Sequence, residues 1–366
     1  MNYRLALIGF GGVNQGLVDL LWQKRVFTKN NDIEFKITVI ADLRFGIIKC
    51  EDGFDLNDLK DFISSGLKKD KFTRNTKFHI QENSDINSIL SVIEEDFVDI
   101  VVEATFTDPN TGEPALSHCK HALSKGKHVV TTNKGPVALA LGELMEIAKS
   151  KNVCFKYEGA VMSGTPVLRQ ITKTLKGADV NSFAGILNGT SNFVLEEMSK
   201  SISFDSAVKK AQELGYAEAN PAADVEGYDV QLKVIILANA LWGEGITRDD
   251  VPCRGITNIT TQDIISAQSE GYTWRLVGSA KKEDSGKITA SVQPKKIRIG
   301  HPLTAASGVT NAISFETDVV GTVTISGPGA GRIETAFAIF SDLIELSSEQ
   351  KDYAVEKKDL SHEVRA

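Results

Sequence analysis

The chain has 366 residues and a formal net charge of −7 at pH 7. This length exceeds what one hydrophobic core usually serves, so we expect two domains. The negative charge argues against nucleic acid as a main partner, and the four cysteines are too scattered for a zinc site or a disulfide framework.

The N-terminal sequence, MNYRLALIGFGG, enters an apolar strand directly, without the basic flank, long apolar region and cleavage site of a signal peptide. No apolar run approaches the roughly eighteen residues that span a bilayer. We therefore expect a cytoplasmic protein with no membrane partner.

The first part of the chain alternates short apolar strands with helices. A strand at residues 3–9 leads through a glycine-rich turn into an amphipathic helix, and a second strand at residues 35–41 ends at Asp42. Residues 50–80 are polar and charged, and we interpret them as a surface excursion. The alternation continues with a strand at 98–103, a helix at 114–125, a strand at 128–132 and a helix at 137–149. This order predicts an α/β fold with a Rossmann-type, doubly wound parallel sheet.

Beyond residue 150 the pattern changes to β-rich segments separated by long helices. We expect an inserted α+β domain at residues 151–314 that carries substrate binding, catalysis and dimerisation. The nucleotide-binding domain would then comprise residues 1–150, completed by about residues 315–366, with a helix at 332–346. A homodimer is the expected assembly.

A glycine-rich turn joins the first strand to the first helix in the sequence GFGGVNQG. Gly9 and Gly11 match the first two glycines of the dinucleotide fingerprint, which allow a tight turn and a close approach of pyrophosphate to the helix N-terminus. Asn14 occupies the place of the third glycine, so the fingerprint is incomplete. The predicted contacts to a nicotinamide dinucleotide are Gly9, Gly11, Gly12, Val13 and Asn14, and a plain βα turn is the alternative.

Two residues at the end of the second strand bear on the choice of cofactor. Asp42 lies where a carboxylate would hold the ribose hydroxyls of NAD, whereas Arg44 is placed to hold the 2′-phosphate of NADP. A carboxylate repels that phosphate, so the pair favours NAD slightly and leaves dual use open. Ala104 and Thr105 follow another strand at the expected edge of the cleft, where Thr105 either touches the cofactor or packs locally.

The segment 211–233, AQELGYAEANPAADVEGYDVQLK, places carboxylates and a lysine around two turns and a helix start. Asp229 and Lys233 have the i, i+4 spacing that puts both on one helical face. A pocket for an amino acid needs anions and a cation together, and Glu218 and Asp224 supply further carboxylates. Such pairs are also common on exposed helices. The apolar run after Lys233, however, indicates a buried helix, where a lysine needs a partner or a function.

This segment also resembles the signature of homoserine dehydrogenase, and the similarity runs through nearly the whole chain. The other matching blocks are TTNKGP at 131–136, YEGAVMSGTP at 157–166, LNGTSNF at 187–193, GHPL at 300–303 and GPGAGRIETA at 327–336. The resemblance implies reversible, NAD- or NADP-dependent hydride transfer that links L-homoserine with L-aspartate 4-semialdehyde, a step toward threonine, methionine and isoleucine. We expect a single activity without the C-terminal regulatory domain that some members append.

The resemblance also implies roles for individual residues. Glu218 and Asp224 would bind the substrate, Asp229 would orient a lysine, and Lys134 and Lys233 would lie at the reacting centre. The remaining positions expected near substrate or cofactor are Asn188, Gly189, Thr190 and Gly331, with Lys134 also near the cofactor. For the block around Gly331, a glycine-rich turn alone is the alternative.

The family places a sodium or similar monovalent ion in a loop that matches Glu158 and the carbonyl groups of Val161, Ser163 and Thr165. The alternative is a Glu158 side chain that only satisfies local backbone amides.

The proton carrier stays open between two lysines. Reduction of the aldehyde builds negative charge on oxygen, which an ammonium both stabilises and protonates. Oxidation needs a base instead, and carboxylate neighbours oppose the deprotonation of a lysine. Lys233 beside Asp229 therefore suits a charged, substrate-holding role, Lys134 is the better candidate for the base, and a water relay is also open.

Two other functions compete with this interpretation. A semialdehyde dehydrogenase acting through a cysteine thioester needs a nucleophile, and only Cys154 has a plausible position, in a segment that reads as a buried strand. A catalytically inactive nucleotide-binding regulator draws support only from Asn14.

Overall fold

The computed structural model describes residues 1–73, 76–243 and 245–363. The strands are β1 (Asn2–Ile8), β2 (Glu34–Asp42), β3 (Gly46–Lys49), β4 (His79–Gln81), β5 (Ile100–Glu103), β6 (His128–Thr131), β7 (Phe155–Lys156), β8 (Val180–Ile186), β9 (Tyr272–Lys282), β10 (Ile288–Arg298), β11 (Thr310–Thr317) and β12 (Gly321–Pro328). The helices are α1 (Gly12–Gln23), α2 (Arg25–Asn30), α3 (Leu56–Ser64), α4 (Asp70–Thr73), α5 (Ile86–Ile93), α6 (Ala115–Ser124), α7 (Lys134–Lys151), α8 (Gly189–Met198), α9 (Phe204–Glu213), α10 (Ala222–Val225), α11 (Tyr228–Trp242), α12 (Thr261–Ser269) and α13 (Arg332–Glu363). Within the described ranges, none of the helices combines the length and apolar character needed to cross a membrane.

The chain divides into two compact units. The first contains Met1–Pro136, Gly142–Gly159 and the chain from Arg332 onward, and the second contains Val137–Leu141 and Ala160–Gly331. From the sequence, the return to the first unit was expected at about residue 315. The structure differs, because β11 and β12 pair within the sheet of the second unit and the return begins at Arg332.

The first unit is built on a seven-stranded sheet with the order β4-β3-β2-β1-β5-β6-β7. The five neighbouring strands β2, β1, β5, β6 and β7 are parallel to one another. At one edge, β3 pairs antiparallel with β2, and β4 pairs antiparallel with β3. The direction of winding reverses at β1, which lies between β2 and β5. Ligands of doubly wound sheets bind at this switch point, outside the carboxyl ends of the strands. The predicted α/β fold is confirmed, with a mixed rather than wholly parallel sheet.

Residues 50–80 contribute to the core of the first unit, so their interpretation as a surface excursion is wrong. Phe54, Phe62, Phe72 and Phe78 are all buried. The ring centroids of Phe62 and Phe72 are 4.9 Å apart and those of Phe72 and Phe78 are 4.8 Å apart, both in edge-to-face arrangements. The polar composition concealed this packing, because a few large aromatic side chains are enough to bury one side of a segment.

The second unit contains a five-stranded antiparallel sheet with the order β10-β9-β8-β11-β12. The helices α8, α11 and α12 all contact β9. Gly278 of β9 lies directly beneath α11, since a Cβ there would be 2.6 Å from Cγ2 of Val234. The close approach of helix and strand explains why α11 is apolar along most of its length.

Candidate active site

The glycine-rich turn lies at the carboxyl end of β1, where the sheet order reverses. Gly9 has a left-handed φ of 79°, and a Cβ there would lie 2.5 Å from the carbonyl oxygen of Ala104. Any side chain at Gly9 would fill the gap between the ends of β1 and β5. The N-cap of α1 is Gly11, which offers no side chain to the first helical N–H groups at Gly12 and Val13. These residues fit the pyrophosphate of a dinucleotide.

Asn14 stabilises the turn from the inside. Its side chain is fully buried, and Nδ2 donates a hydrogen bond of 2.7 Å to the carbonyl oxygen of Gly9. A close-packing glycine occurs instead at Gly16, where a Cβ would lie 2.9 Å from the carbonyl oxygen of Arg332 in α13. Sequence reasoning missed Gly16, although it is the last glycine of the motif.

Asp42 and Arg44 form a bidentate ion pair at the end of β2. Nε and Nη2 of Arg44 donate to Oδ1 and Oδ2 of Asp42 over 2.7 and 2.9 Å. Asp42 also accepts a hydrogen bond of 2.8 Å from the backbone N–H of Phe10, which ties β2 to the glycine-rich turn. Burial alone would raise the pKa of Asp42, but the hydrogen bonds from Arg44 and Phe10 outweigh it and lower the pKa. Asp42, which favours NAD, and Arg44, which favours NADP, thus neutralise each other's charge.

Thr105 and Lys134 lie where β5 and β6 end, in the second half of the first sheet. The backbone N–H of Thr105 donates to Oε1 of Glu103 at 3.1 Å, and its hydroxyl donates to the same oxygen. Asn133 donates to Glu103 and, at 3.0 Å, to the carbonyl oxygen of Thr105. Lys134 follows as the first residue of α7. The sequence analysis assigned no role to Glu103. The signal that could have found it is an acidic residue at the end of an apolar strand.

In the second unit, three helices meet at one polar cluster. Asn188 is the N-cap of α8, and its Nδ2 donates to Oδ1 of Asp224 at 2.6 Å and to Oδ2 of Asp229 at 2.9 Å. Nζ of Lys233 donates to the same Oδ2 of Asp229 at 2.7 Å. The structure therefore joins the i, i+4 pair of α11 to Asp224 of α10 through a single side-chain amide.

Lys233 is buried, as the apolar run after it predicted. Its side chain is only 8% exposed. In addition to Asp229, it donates to the carbonyl oxygen of Leu187 at 2.6 Å, and Asn311 of β11 donates to the same oxygen at 2.9 Å. The ammonium is held between a carboxylate and a carbonyl oxygen, which fixes its position.

Asp224 has a perturbed acidity. Burial raises the pKa of its carboxyl group, and the negative charge of Asp229 raises it further, whereas the amide of Asn188 and the charge of Lys233 lower it less. A half-buried carboxyl group with a raised pKa beside other charged groups is typical of a binding or catalytic site.

The other residues predicted to bind substrate lie on neighbouring segments. Gly189 begins α8, where a Cβ would be 2.6 Å from a backbone carbonyl oxygen of the loop before β11. The hydroxyl of Thr190 donates to the carbonyl oxygen of Tyr216 at 2.6 Å and also contacts Asp224. Glu218 lies on the loop between α9 and α10 with an exposed side chain.

The residues predicted to bind a cation are buried and divide between the two units. Glu158 belongs to the first unit, where its backbone N–H donates to Asp342 at 3.0 Å. Val161, Ser163 and Thr165 are buried in the second unit. Among the described residues, no three His, Cys, Asp or Glu side chains converge on a metal position.

Gly331 immediately precedes α13 and has a φ of 138°. Arg332 then donates to the carbonyl oxygen of Gly12 at 3.2 Å and to Asp19 at 2.8 Å. The first turn of α13 therefore packs on α1, next to the glycine-rich turn. A contact between Gly331 and a cofactor stays a prediction.

The chain is similar to known proteins along almost its whole length. Residues 166–344 match the family model for homoserine dehydrogenase. An NAD(+)-dependent homoserine dehydrogenase from Pseudomonas canavaninivorans is 46% identical over 94% of this chain and 96% of its own. A homoserine dehydrogenase from Methanocaldococcus jannaschii is 39% identical over 95% and 99%. The structure of a hyperthermophilic archaeal homoserine dehydrogenase in complex with NADPH superimposes with a TM-score of 0.79 at 30% identity, covering 95% of this chain and 98% of that one.

A doubly wound sheet with a dinucleotide-type glycine turn, in one chain with a buried lysine among carboxylates, defines an NAD(P)-dependent oxidoreductase. Since relatives of 46% and 39% identity match it over nearly their full length, the chain belongs to the homoserine dehydrogenase family.

Proposed function

We propose that the protein interconverts L-homoserine and L-aspartate 4-semialdehyde by reversible hydride transfer with NAD or NADP. The observation that carries this proposal is the cluster of Asn188, Asp224, Asp229 and Lys233, which combines carboxylates with a fixed cation. The ammonium of L-homoserine calls for carboxylate partners and its reacting hydroxyl oxygen for a hydrogen-bond donor, so its recognition needs both kinds of group. The nicotinamide, when bound, supplies the hydride chemistry.

The proposed chemistry conserves one hydride and one proton in each direction. In oxidation, the hydroxyl-bearing carbon of homoserine loses a hydride to the cofactor and its hydroxyl loses a proton to a base. In reduction, the aldehyde carbon gains the hydride and its oxygen gains the proton. Lys233, held by Asp229 and Leu187, donates a hydrogen bond to the reacting oxygen. Because negative charge grows on that oxygen during reduction, a fixed cation stabilises the transition state more than the substrate.

Lys134 is the proposed proton acceptor during oxidation, directly or through a water. It begins α7 at the carboxyl edge of the first sheet, on the side of β5 and β6. In a doubly wound fold, this half of the sheet receives the second mononucleotide half of the cofactor. Lys233 donates to the carboxylate of Asp229, an arrangement that favours its charged form, so the base is assigned to the other lysine.

Substrate binding is assigned to the residues around Asp224. Its carboxylate and that of Glu218 attract the substrate ammonium, and the exposed position of Glu218 on a loop allows it to approach a ligand. Asn188 belongs to this cluster, and Gly189 and Thr190 follow it at the start of α8.

The cofactor is proposed to be NAD in preference to NADP. The relative from Pseudomonas canavaninivorans is NAD(+)-dependent, whereas the archaeal structure contains NADPH. Similarity alone therefore does not decide between NAD and NADP. A ribose diol can donate to Asp42 while Arg44 stays in place. A 2′-phosphate would meet the charge of Asp42 and would require Arg44 to leave an ion pair of 2.7 Å.

A cytoplasmic homodimer is the proposed assembly, formed through the sheet face opposite α11. Gly278 faces that helix, so its neighbour Ser279 points to the other face. The strand register aligns Ser279 with Ser291, Ala184 and Ser314 in one row across four strands. Small side chains let a second sheet approach to about 10 Å.

Sedimentation velocity tests this assembly. A Ser279→Arg substitution should convert the dimer to a monomer, whereas Ser285→Arg in the exposed β9–β10 turn should leave the dimer intact. A Ser279→Arg protein that sediments as a dimer would exclude this face.

A monovalent cation is proposed at Glu158 and the carbonyl oxygens of Val161, Ser163 and Thr165. Replacement of sodium by the bulkier tetramethylammonium at constant ionic strength should lower the melting temperature and the rate of homoserine oxidation. Equal values in both salts would remove the cation from the proposal.

The proposed reaction is tested by initial-rate oxidation of L-homoserine, followed as absorbance of the reduced cofactor, with NAD and NADP compared. Turnover that requires homoserine and forms the semialdehyde is the expected result. A folded protein that binds NAD or NADP but turns over neither would favour the inactive regulator.

A further inference from the structure

Glu103, the last residue of β5, is a fully buried carboxylate in the first unit. A carboxylate without exposure to water is strongly unfavourable unless hydrogen-bond donors surround it. Glu103 has no part in the reaction proposed above, and no role was predicted for it from the sequence. Its burial therefore requires a separate explanation.

The donors to Glu103 lie at, or just after, the ends of β5 and β6. One oxygen, Oε1, accepts from the backbone N–H of Thr105 at 3.1 Å and from the Thr105 hydroxyl. The other, Oε2, accepts from Nδ2 of Asn133. The hydroxyl of Thr131 shares its hydrogen between the carbonyl oxygen of Glu103 at 3.0 Å and Oε2 at 3.3 Å. His118 of α6 is also buried, with Nδ1 3.5 Å from Oε1. One carboxylate thus connects two strand ends.

Asn133 is unusual for its position. It is the N-cap of α7, where an asparagine commonly accepts a hydrogen bond from the first turn of the helix. Its side chain instead donates to Glu103 and to the carbonyl oxygen of Thr105, and it does not cap the helix. Glu103 therefore fixes the residue that immediately precedes Lys134.

The location of this network points to one half of the cofactor. Gly9 and Asp42 lie at β1 and β2, the half of the sheet that binds the adenosine side of a dinucleotide. Thr105 and Asn133 lie at the carboxyl ends of β5 and β6, in the other half. The loop after Thr105 also packs closely on α7, since a Cβ at Gly135 would be 2.6 Å from Cγ2 of Thr107.

We propose that Glu103 is a positioning residue for the nicotinamide half of the cofactor: its buried carboxylate holds Thr105 and Asn133, and through Asn133 the start of α7 with Lys134. The assignment of the nicotinamide to this half rests on the proposed function.

The experiment compares two ligands that share the adenosine half. NADH carries the nicotinamide and ADP-ribose does not, so the ratio of their dissociation constants isolates the nicotinamide half. In Glu103→Gln, one oxygen becomes an amide that donates, and either Thr105 or Asn133 loses its acceptor. We expect the dissociation constant of NADH to rise about tenfold and that of ADP-ribose to change less than about twofold.

Turnover supplies a second measurement. Homoserine oxidation by Glu103→Gln should show a kcat lowered by at least about tenfold, with the KM for homoserine within about threefold of wild type. The matched control is Glu143→Gln, the same chemical change at an exposed glutamate that pairs with Lys120 on the surface of α7 and α6. It should leave kcat and both dissociation constants unchanged.

Asn133→Ala keeps the proposal testable if Glu103→Gln does not fold, because it retains Glu103 and its threonine donors. It should raise the dissociation constant of NADH selectively in the same way. Equal weakening of NADH and ADP-ribose, or no weakening of either, would overturn the proposal. A wild-type protein that binds NADH without oxidising homoserine would refute the proposed reaction, while the ratio of the two dissociation constants would still decide the role of Glu103.

Discussion

Nζ of Lys233 lies 2.7 Å from Oδ2 of Asp229, one helical turn earlier on α11, and 2.6 Å from the carbonyl oxygen of Leu187. A surface lysine samples many rotamers, whereas these two acceptors and the surrounding apolar helix hold this one in place. The ammonium is thus oriented before any substrate arrives. Orientation in advance is what allows a charged group to stabilise a transition state effectively.

Lys233→Ala should lower kcat for homoserine oxidation by about 10²- to 10⁴-fold, because in the proposed mechanism the reacting oxygen loses its fixed hydrogen-bond donor. Steady-state kinetics with saturating cofactor measures this change, and circular dichroism monitors folding. The matched control is Lys209→Ala, since Lys209 also pairs with a carboxylate one helical turn away, Glu213 at 4.0 Å, but on the exposed face of α9. Full turnover by a folded Lys233→Ala protein would rule out this cluster as the reacting centre.

The KM for homoserine should fall as pH rises through the titration of Asp224. Burial and the charge of Asp229 raise the pKa of Asp224 above its ordinary value of 3.8. In the proposed function the substrate ammonium binds the ionised form, which in the free enzyme predominates above this raised pKa, so binding weakens as pH decreases through it. Kinetics across the mildly acidic range, at constant ionic strength, measures this dependence.

Asp224→Asn should raise the KM for homoserine and flatten its pH dependence, because the amide does not titrate. Asp205→Asn, at an exposed position in the first turn of α9, should keep the wild-type profile. A wild-type profile in Asp224→Asn would assign the titration to another group.

Asp42→Asn should shift the cofactor preference toward NADP. The substitution removes the negative charge that opposes a 2′-phosphate and weakens the hold on Arg44, so the ratio of kcat/KM for NADP over NAD should rise about tenfold. Arg44→Ala should have the opposite effect and lower kcat/KM with NADP selectively. If Arg44→Ala left the NADP value unchanged, Arg44 would have no role in phosphate binding.

Local patterns in the sequence predicted much of the first sheet and part of the site. The alternation of strand and helix predicted the doubly wound fold, and the spacing of Asp229 and Lys233 predicted a pair that the structure contains. The burial of Lys233 followed from the apolar residues after it. In each case the signal lies within a few residues, where helical or strand periodicity acts directly.

Features that depend on distant segments were beyond this reasoning. Asn188 meets Asp224 and Asp229 across 36 and 41 positions of sequence, so only tertiary packing brings these side chains together. The role of Asn14 inside the turn is a second example, because a pattern of glycines does not represent a side chain that bonds the turn from within. The role of Glu103 depends in the same way on donors from two separate strand ends.

The final prediction concerns residues 50–80, whose polar composition concealed a set of buried aromatic rings. Phe72→Ala should lower the free energy of unfolding by about 3–5 kcal/mol, because it leaves a cavity between Phe54, Phe62 and Phe78. Urea denaturation measures the change. Phe106→Ala, at a phenylalanine that is 88% exposed, is the matched control and should change it by less than about 0.5 kcal/mol. Equal, small effects at both positions would mean that this segment does not belong to the core.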